Sequence, residues 1–135
     1  MSIAAYKQNI REVEAPRDIE RRVLSRITSD IERHAENFDA AETRLARLNI
    51  LANGLAIALA ENQQFWMALK HDLAEQDNLL PPDLRASLIS LALWVERQSN
   101  AIMSGEAKVA PLVSINRSVA DGLRGVPSVA AVEGA

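Results

Sequence analysis

At 135 residues, 48% of them apolar and 24% charged, the chain has the make-up of one globular domain rather than of a disordered segment. It contains no cysteine, which excludes disulfides, thiol nucleophiles and thiolate metal sites. The net charge of −3, with acidic and basic residues interspersed, argues against nucleic acid and anionic membranes as partners, because neutralising phosphates takes a basic surface.

Alanine and leucine dominate the apolar set and aromatics reach only 4%, a bias that favours helices. The opening residues Met1 to Lys7 lack the basic start and long apolar run of a secretory signal. The most apolar stretch, Leu88 to Val95, is far too short to cross a bilayer. A cytoplasmic protein is expected.

In chain order, a short helix is predicted over Ile3 to Ile10, with Ile3, Tyr6 and Ile10 on one side. Pro16 is expected to interrupt it and to open the next helix, where its missing N–H costs nothing and Asp18 and Glu20 suit the positive end of the dipole. From there Ile19, Val23, Ile27, Ile31 and Ala35 recur every four residues and Phe38 closes the row, so one face is buried.

Ala41, Leu45, Leu48, Ala52, Leu55, Leu59, Asn62, Trp66, Leu69 and Leu73 then step by four and three without a break. This is the seam of one long helix, or of two collinear ones, packed in bundle fashion. Nearly every position from Ile50 to Ala60 is apolar, which predicts a stretch surrounded on several sides. Gly54 within it weakens a helix by about 1 kcal/mol relative to alanine and permits a close approach by another helix.

Gln76-Asp77-Asn78 and Pro81-Pro82 mark a break, and Pro82 and Asp83 open a third helix. Its rows run Leu84, Leu88, Leu91, Val95 and Ile89, Ala92 or Leu93, and the apolar stretch predicts a central position. Ser104-Gly105-Glu106 ends it. A last helix is predicted from Pro111 to Gly122, burying Leu112, Ile115, Val119 and Leu123, with Gly122 as its stop. The whole reads as all-α: a single helical domain over 1–123, a bundle of four to five helices with one long central helix, followed by a flexible tail over 124–135.

No catalytic, cofactor or metal motif emerges. Neither His34 nor His71 has a glutamate three residues earlier, since Ile31 and Ala68 hold those places, so the carboxylate–histidine pairs of di-iron bundles are missing. H-E-x-x-H, the P-loop and G-x-G-x-x-G are absent. The expectation is a binder rather than an enzyme, with no cofactor. Arg21, Arg22 and Arg26 form a small basic cluster, but Asp18 and Asp30 lie one turn away, and mutual pairing on a solvated face accounts for them.

Asn62 occupies a seam position, where a buried amide must find partners and can fix register or receive a polar group from a ligand. Trp66 and Trp94 each combine a large apolar area with one donor, which suits a core residue or a binding hot spot.

Asn62-Gln63-Gln64-Phe65-Trp66, Leu80-Pro81, Arg85, Leu91-Ala92-Leu93-Trp94-Val95, Leu112 with Ile115-Asn116-Arg117, and Gly122-Leu123 together resemble the flagellar regulator FlaF family of alphaproteobacteria. Ala5-Tyr6 and Pro16-Arg17 fit the family's opening, and the likeness spans Ala5 to Leu123. Gln63 and Gln64 stand where that family often has basic residues, and Asn78-Leu79-Leu80-Pro81 where it commonly has Asn-Pro-Leu-Pro.

The resemblance implies a cytoplasmic flagellin-binding secretion chaperone that supports flagellin export and filament assembly beside the translational regulator FlbT. Flagellin's terminal amphipathic helices would be the ligand, held by the helix-in-groove mode. Phe65, Trp66, Trp94 and the face of Leu112, Ile115 and Val119 supply apolar surface for it. Asn116 and Arg117 are read as one rim of the groove and Arg85 as the next candidate. Equally, Asn116 and Arg117 can cap and brace the bundle. The alternative is a post-transcriptional regulator of flagellin synthesis, acting through RNA or as an adaptor for FlbT. The oligomeric state stays open, because the seam can pack internally or across a dimer interface.

Overall fold

The computed structural model describes the backbone over residues 3–125 and the side chains over residues 17–123. It is all-helical: α1 (Ile3–Ala40), α2 (Arg44–Ile50), α3 (Ala56–Ala74), α4 (Pro82–Met103) and α5 (Ala110–Gly125), with no strand among the described residues. The four longer helices form a bundle in which α1 packs on α5 and on α3, α3 packs on α4, and α4 in turn meets α5. The 38-residue α1 packs chiefly on α5 and also on α3. Contacts at both ends fix the directions. Asp39 meets the start of α5 while Arg117 meets Ser29 and Glu32, so α1 and α5 are antiparallel. Gln63 bonds Asn100 while Arg85 bonds Leu73, so α3 and α4 are antiparallel too.

Pro16 does not divide α1. One helix runs from Ile3 to Ala40, although a proline forfeits a backbone hydrogen bond and crowds the preceding turn at about 3 kcal/mol. Strong helix formers on both sides, among them Glu14, Ala15, Arg17 and Glu20, carry the helix through. The facing of Ile3, Tyr6 and Ile10 lies outside the described side chains. Farther on, Leu24, Ile27, Thr28, Ile31 and Phe38 are buried, a stripe widened by two packing neighbours; Thr28 donates its hydroxyl to Leu24 O at 2.6 Å. The row opens at its other end, where Ile19 is 53% and Val23 36% exposed.

The seam over 41–73 is broken. Asn53 (φ −96°, ψ 24°) and Gly54 (φ 132°, ψ −28°) leave helical space, and only glycine takes the second conformation without strain. After the kink the three–four spacing holds, with Leu55, Leu59, Asn62, Trp66, Leu69 and Leu73 buried. Before it the phase has shifted. Leu51 is buried in place of Ala52, while Leu45 is 69% exposed and Leu48 is exposed as well. Nor is the apolar run from Ile50 to Ala60 surrounded: beyond the kink, Ile57 faces outward, off the buried row of α3. Gly54 does permit a close approach, by the ring of His34 on α1. The two-turn α2 buries no residue; Thr43 caps it by accepting from Ala46 N.

α3 stops at Ala74, and Pro82 opens α4 at its first position with Asp83 in the first turn, as the break predicts. α4 is peripheral rather than central. It packs chiefly on α3, burying Ala92, Val95, Ser99 and Ile102, and Leu93 and Leu84 stay exposed despite the apolar run. Gly105 (φ 75°) turns the chain after Ser104, and Asp39 then caps α5 by accepting from Val109 N at 2.7 Å and Ala110 N at 2.9 Å. α5 buries Leu112, Asn116, Val119, Ala120 and Leu123, with Ile115 half-buried. Gly122 is no stop, and the helix runs on to Gly125, two residues into the segment expected as a tail. Residues 126–135 of that segment lie outside those described.

Candidate functional site

The polar centre of the bundle is a chain of three side chains joining α3 to α5. Trp66 Nε1 donates to Asn116 Oδ1 at 3.0 Å, and Asn116 Nδ2 donates to Asn62 Oδ1 at 2.8 Å. All three residues are buried. The seam spacing puts Asn62 and Trp66 one turn apart on the same face of α3, so a single amide from α5 reaches both. Asn62 Nδ2 and, on α4, Ser99 Oγ have no hydrogen-bond partner among the described residues. Buried amides that bond each other fix the register of two helices, since a slip of one turn leaves every member unpaired.

The two arginines also act as ties. Arg85 lays its fork over the end of α3, with Nε and Nη2 donating to Leu73 O at 3.0 and 2.8 Å and Nη2 to Glu75 O at 3.0 Å. A cation there meets carbonyls that a helix end leaves without partners. Arg117 Nη2 joins α5 to α1 through Glu32 Oε2 at 3.0 Å and Ser29 Oγ at 3.3 Å.

The remaining candidates are apolar and only half-buried. Phe65 stands edge-on to Trp66, with ring centroids 6.4 Å apart. Trp94 lies on α4 and Ile115 on α5. The eight residues singled out from the sequence thus do not form one surface. Asn62, Trp66 and Asn116 are brought together in the interior, Arg85 holds the end of α3, Arg117 ties α5 to the side of α1, and Phe65 lines an open cleft.

That cleft is the feature the sequence does not single out. Ile19, Glu20 and Val23 of α1 face Phe65, Ala68 and Leu69 of α3 across about 200 Å³. Burial raises the Glu20 carboxyl above its ordinary value, the charge of Asp72 adds to the rise, and Arg17 opposes it. Ile19 and Val23 are legible as part of an apolar row; which stretch of the row lies uncovered depends on where the neighbouring helices reach. A wider cleft of about 540 Å³ opens where α1 gives way to α2, between Phe38, Arg44, Arg47, Gly105 and Lys108. Arg47 there is committed to Gly105 O and Ala41 O. Among the described residues no group of three His, Asp or Glu side chains is placed to hold a metal ion, and no helix is long and apolar enough to cross a membrane.

The basic cluster on α1 is paired. Arg21 and Arg22 both meet Asp18, Arg26 bridges Asp30 and Glu61, and Arg33 also bonds Asp30. The hydrogen bond from Arg21 holds the Asp18 carboxyl below its ordinary value.

Fold and geometry together define a small all-helical bundle whose buried polar groups hold one helix to another. The chain belongs to the flagellar protein FlaF family, whose model matches residues 2–123. No curated protein and no solved structure matches it.

Proposed function

We propose that this chain is a cytoplasmic flagellin-binding protein, a secretion chaperone that keeps newly made flagellin competent for export and so supports filament assembly. The observation that carries the reading is membership of a flagellar family in a bundle that leaves large apolar side chains uncovered on α1, α3 and α4, among them Ile19, Val23, Met67 and Leu93. Amphipathic flagellin termini that pack only in the filament present complementary apolar surface, and a helix laid along a groove covers it. On this reading the chain is a binder and not an enzyme, and it needs no cofactor. Its affinity is moderate, because ordering the cargo on binding consumes part of the contact energy and cargo must be released at export.

The test is a pull-down of purified flagellin monomer, and separately of FlbT, on the immobilised chain. Retention of flagellin is expected; no complex at concentrations on the order of tens of micromolar would reject the reading. Retention of FlbT alone would favour an adaptor role. An RNA-binding role draws less support, since Arg21, Arg22 and Arg26 already pair with carboxylates of this chain.

A further inference from the structure

Between α2 and α3 the helix carries one residue too many. Ala56 N–H donates to Leu51 O, five residues back, where an α-helix spans four. The surplus is taken up at Asn53 and Gly54, the two residues with non-helical angles. One residue is worth about 100° of rotation, so α2 is swung by that amount relative to α3. The swing decides which side chains of α2 meet the core. Ile50 packs there beside Leu51, while Leu48 is 39% exposed.

Removing the wide turn exchanges the two. In a regular helix from Arg44 to Ala74, Leu48 stands two turns before the fully buried Leu55 and falls on the same face. Ile50 turns about 140° away from that face, and Leu51, four residues before Leu55, keeps to it in both arrangements. Each arrangement thus buries Leu51 with one further large aliphatic side chain, Ile50 in the first and Leu48 in the second. What favours the first is polar. Arg47 donates from Nε to Gly105 O at 2.8 Å and from Nη1 to Ala41 O at 2.9 Å, while α2 has no fully buried residue to anchor it. What favours the second is the unbroken three–four spacing of Leu45, Leu48, Ala52, Leu55 and Leu59.

We propose that α2 is a two-register element. It alternates between the arrangement seen, with Leu48 outward and Arg47 bonded, and a regular helix continuous with α3, with Leu48 inward and Ile50 and Arg47 released. Asn53 and Gly54 are the pivot, and the Thr43 cap on Ala46 N serves either register. The outer face of α2 offers both Leu45 and Leu48 in the first register and withdraws Leu48 in the second. Any contact made on that face therefore biases the register, and the register in turn gates the contact. This device goes beyond the binding role above and does not depend on what the chain binds.

The experiment is NMR relaxation dispersion on the full chain, which detects a minor state populated on the order of 1%. The methyls of Leu48 and Ile50 are expected to exchange at one shared rate, and the minor-state carbon shifts of Asn53 and Gly54 to be helical. Gly54→Ala penalises φ 132° and favours helix, so it is expected to raise the minor population at least about fivefold. Leu48→Asp is tolerated where Leu48 faces solvent and costly where it faces the core, so it is expected to abolish the exchange. Three results would each overturn the proposal: no dispersion along α2 in the wild-type chain, exchange that survives Leu48→Asp, or random-coil minor-state shifts along α2, which signify local unfolding instead. The wild-type chain and Leu48→Asp decide the matter even where Gly54→Ala fails to fold.

Discussion

Asn116 of α5 donates its amide N–H to Asn62 Oδ1 on α3 at 2.8 Å while its own Oδ1 receives the indole N–H of Trp66, one turn along the same helix. One side chain thus satisfies two buried groups on a neighbouring helix. That makes it sensitive to truncation. Removing a partner from a buried polar group costs more than the bond contributes, because the orphan stays out of water.

Asn116→Ala is therefore expected to lower stability by roughly 2–4 kcal/mol in denaturant unfolding, by stranding Asn62 Oδ1 and Trp66 Nε1 together. At temperatures where the variant remains folded, affinity for the partner should be unchanged, since the amide is buried. A variant that is stable but cannot bind would put Asn116 at the interface instead.

Gly54 carries φ 132°, and a Cβ there would lie 3.2 Å from His34 Nε2. Gly54→Ala is expected to cost about 1–3 kcal/mol, although alanine favours helix elsewhere in the chain. His34→Ala in the same chain should recover the steric part of the loss and leave the backbone part. The measurement is a set of urea midpoints for the two single variants and the double.

Arg85 closes α3 with a fork of hydrogen bonds onto Leu73 O and Glu75 O. Arg85→Ala should cost about 1–3 kcal/mol and speed amide exchange in the α3–α4 connection. Arg85→Lys should restore little of this, because an ammonium cannot reproduce the planar fork. Full rescue by lysine would reduce the contribution to simple charge at a helix end.

Glu20 gives a pH dependence of defined sign. Burial, with Asp72 adding and Arg17 opposing, raises its carboxyl above the ordinary 4.5, so the folded chain holds that proton more tightly than the unfolded chain. The resulting penalty on folding is absent below the ordinary value, grows as pH rises through the raised one, and is complete above it. Glu20→Gln should therefore raise the melting temperature at neutral pH, with the gain over wild type fading on acidification below 4.5. A gain independent of pH would assign the effect to packing.

Much of the architecture is legible in the residues themselves. The α4 boundary follows from Pro81, Pro82 and Asp83, and the buried face of α3 follows from the spacing of Leu55 through Leu73. Two misreadings share a cause. Pro16 and Gly122 carry strong local signals for a break, yet both lie inside helices, because cooperative helix on either side outweighs one residue. Gly54 shows the converse. Its helical spacing runs on unbroken, and only the packing against His34 and the phase change from Ala52 to Leu51 disclose the kink. Asn62 and Trp66 are identifiable as a polar step in an apolar seam, but their shared partner lies 50 or more residues away on α5, which no local pattern encodes. The cleft at Ile19 and Val23 escapes for a similar reason, since exposure depends on where neighbouring helices end.

The most direct test of the proposed role is light scattering on the purified chain, on flagellin monomer, and on their mixture. The account predicts a new species in the mixture, with a mass equal to flagellin plus a whole number of 14.8 kDa chains and with filament growth suppressed. Two unshifted components at concentrations on the order of tens of micromolar, with filaments forming as readily as without the chain, would contradict it.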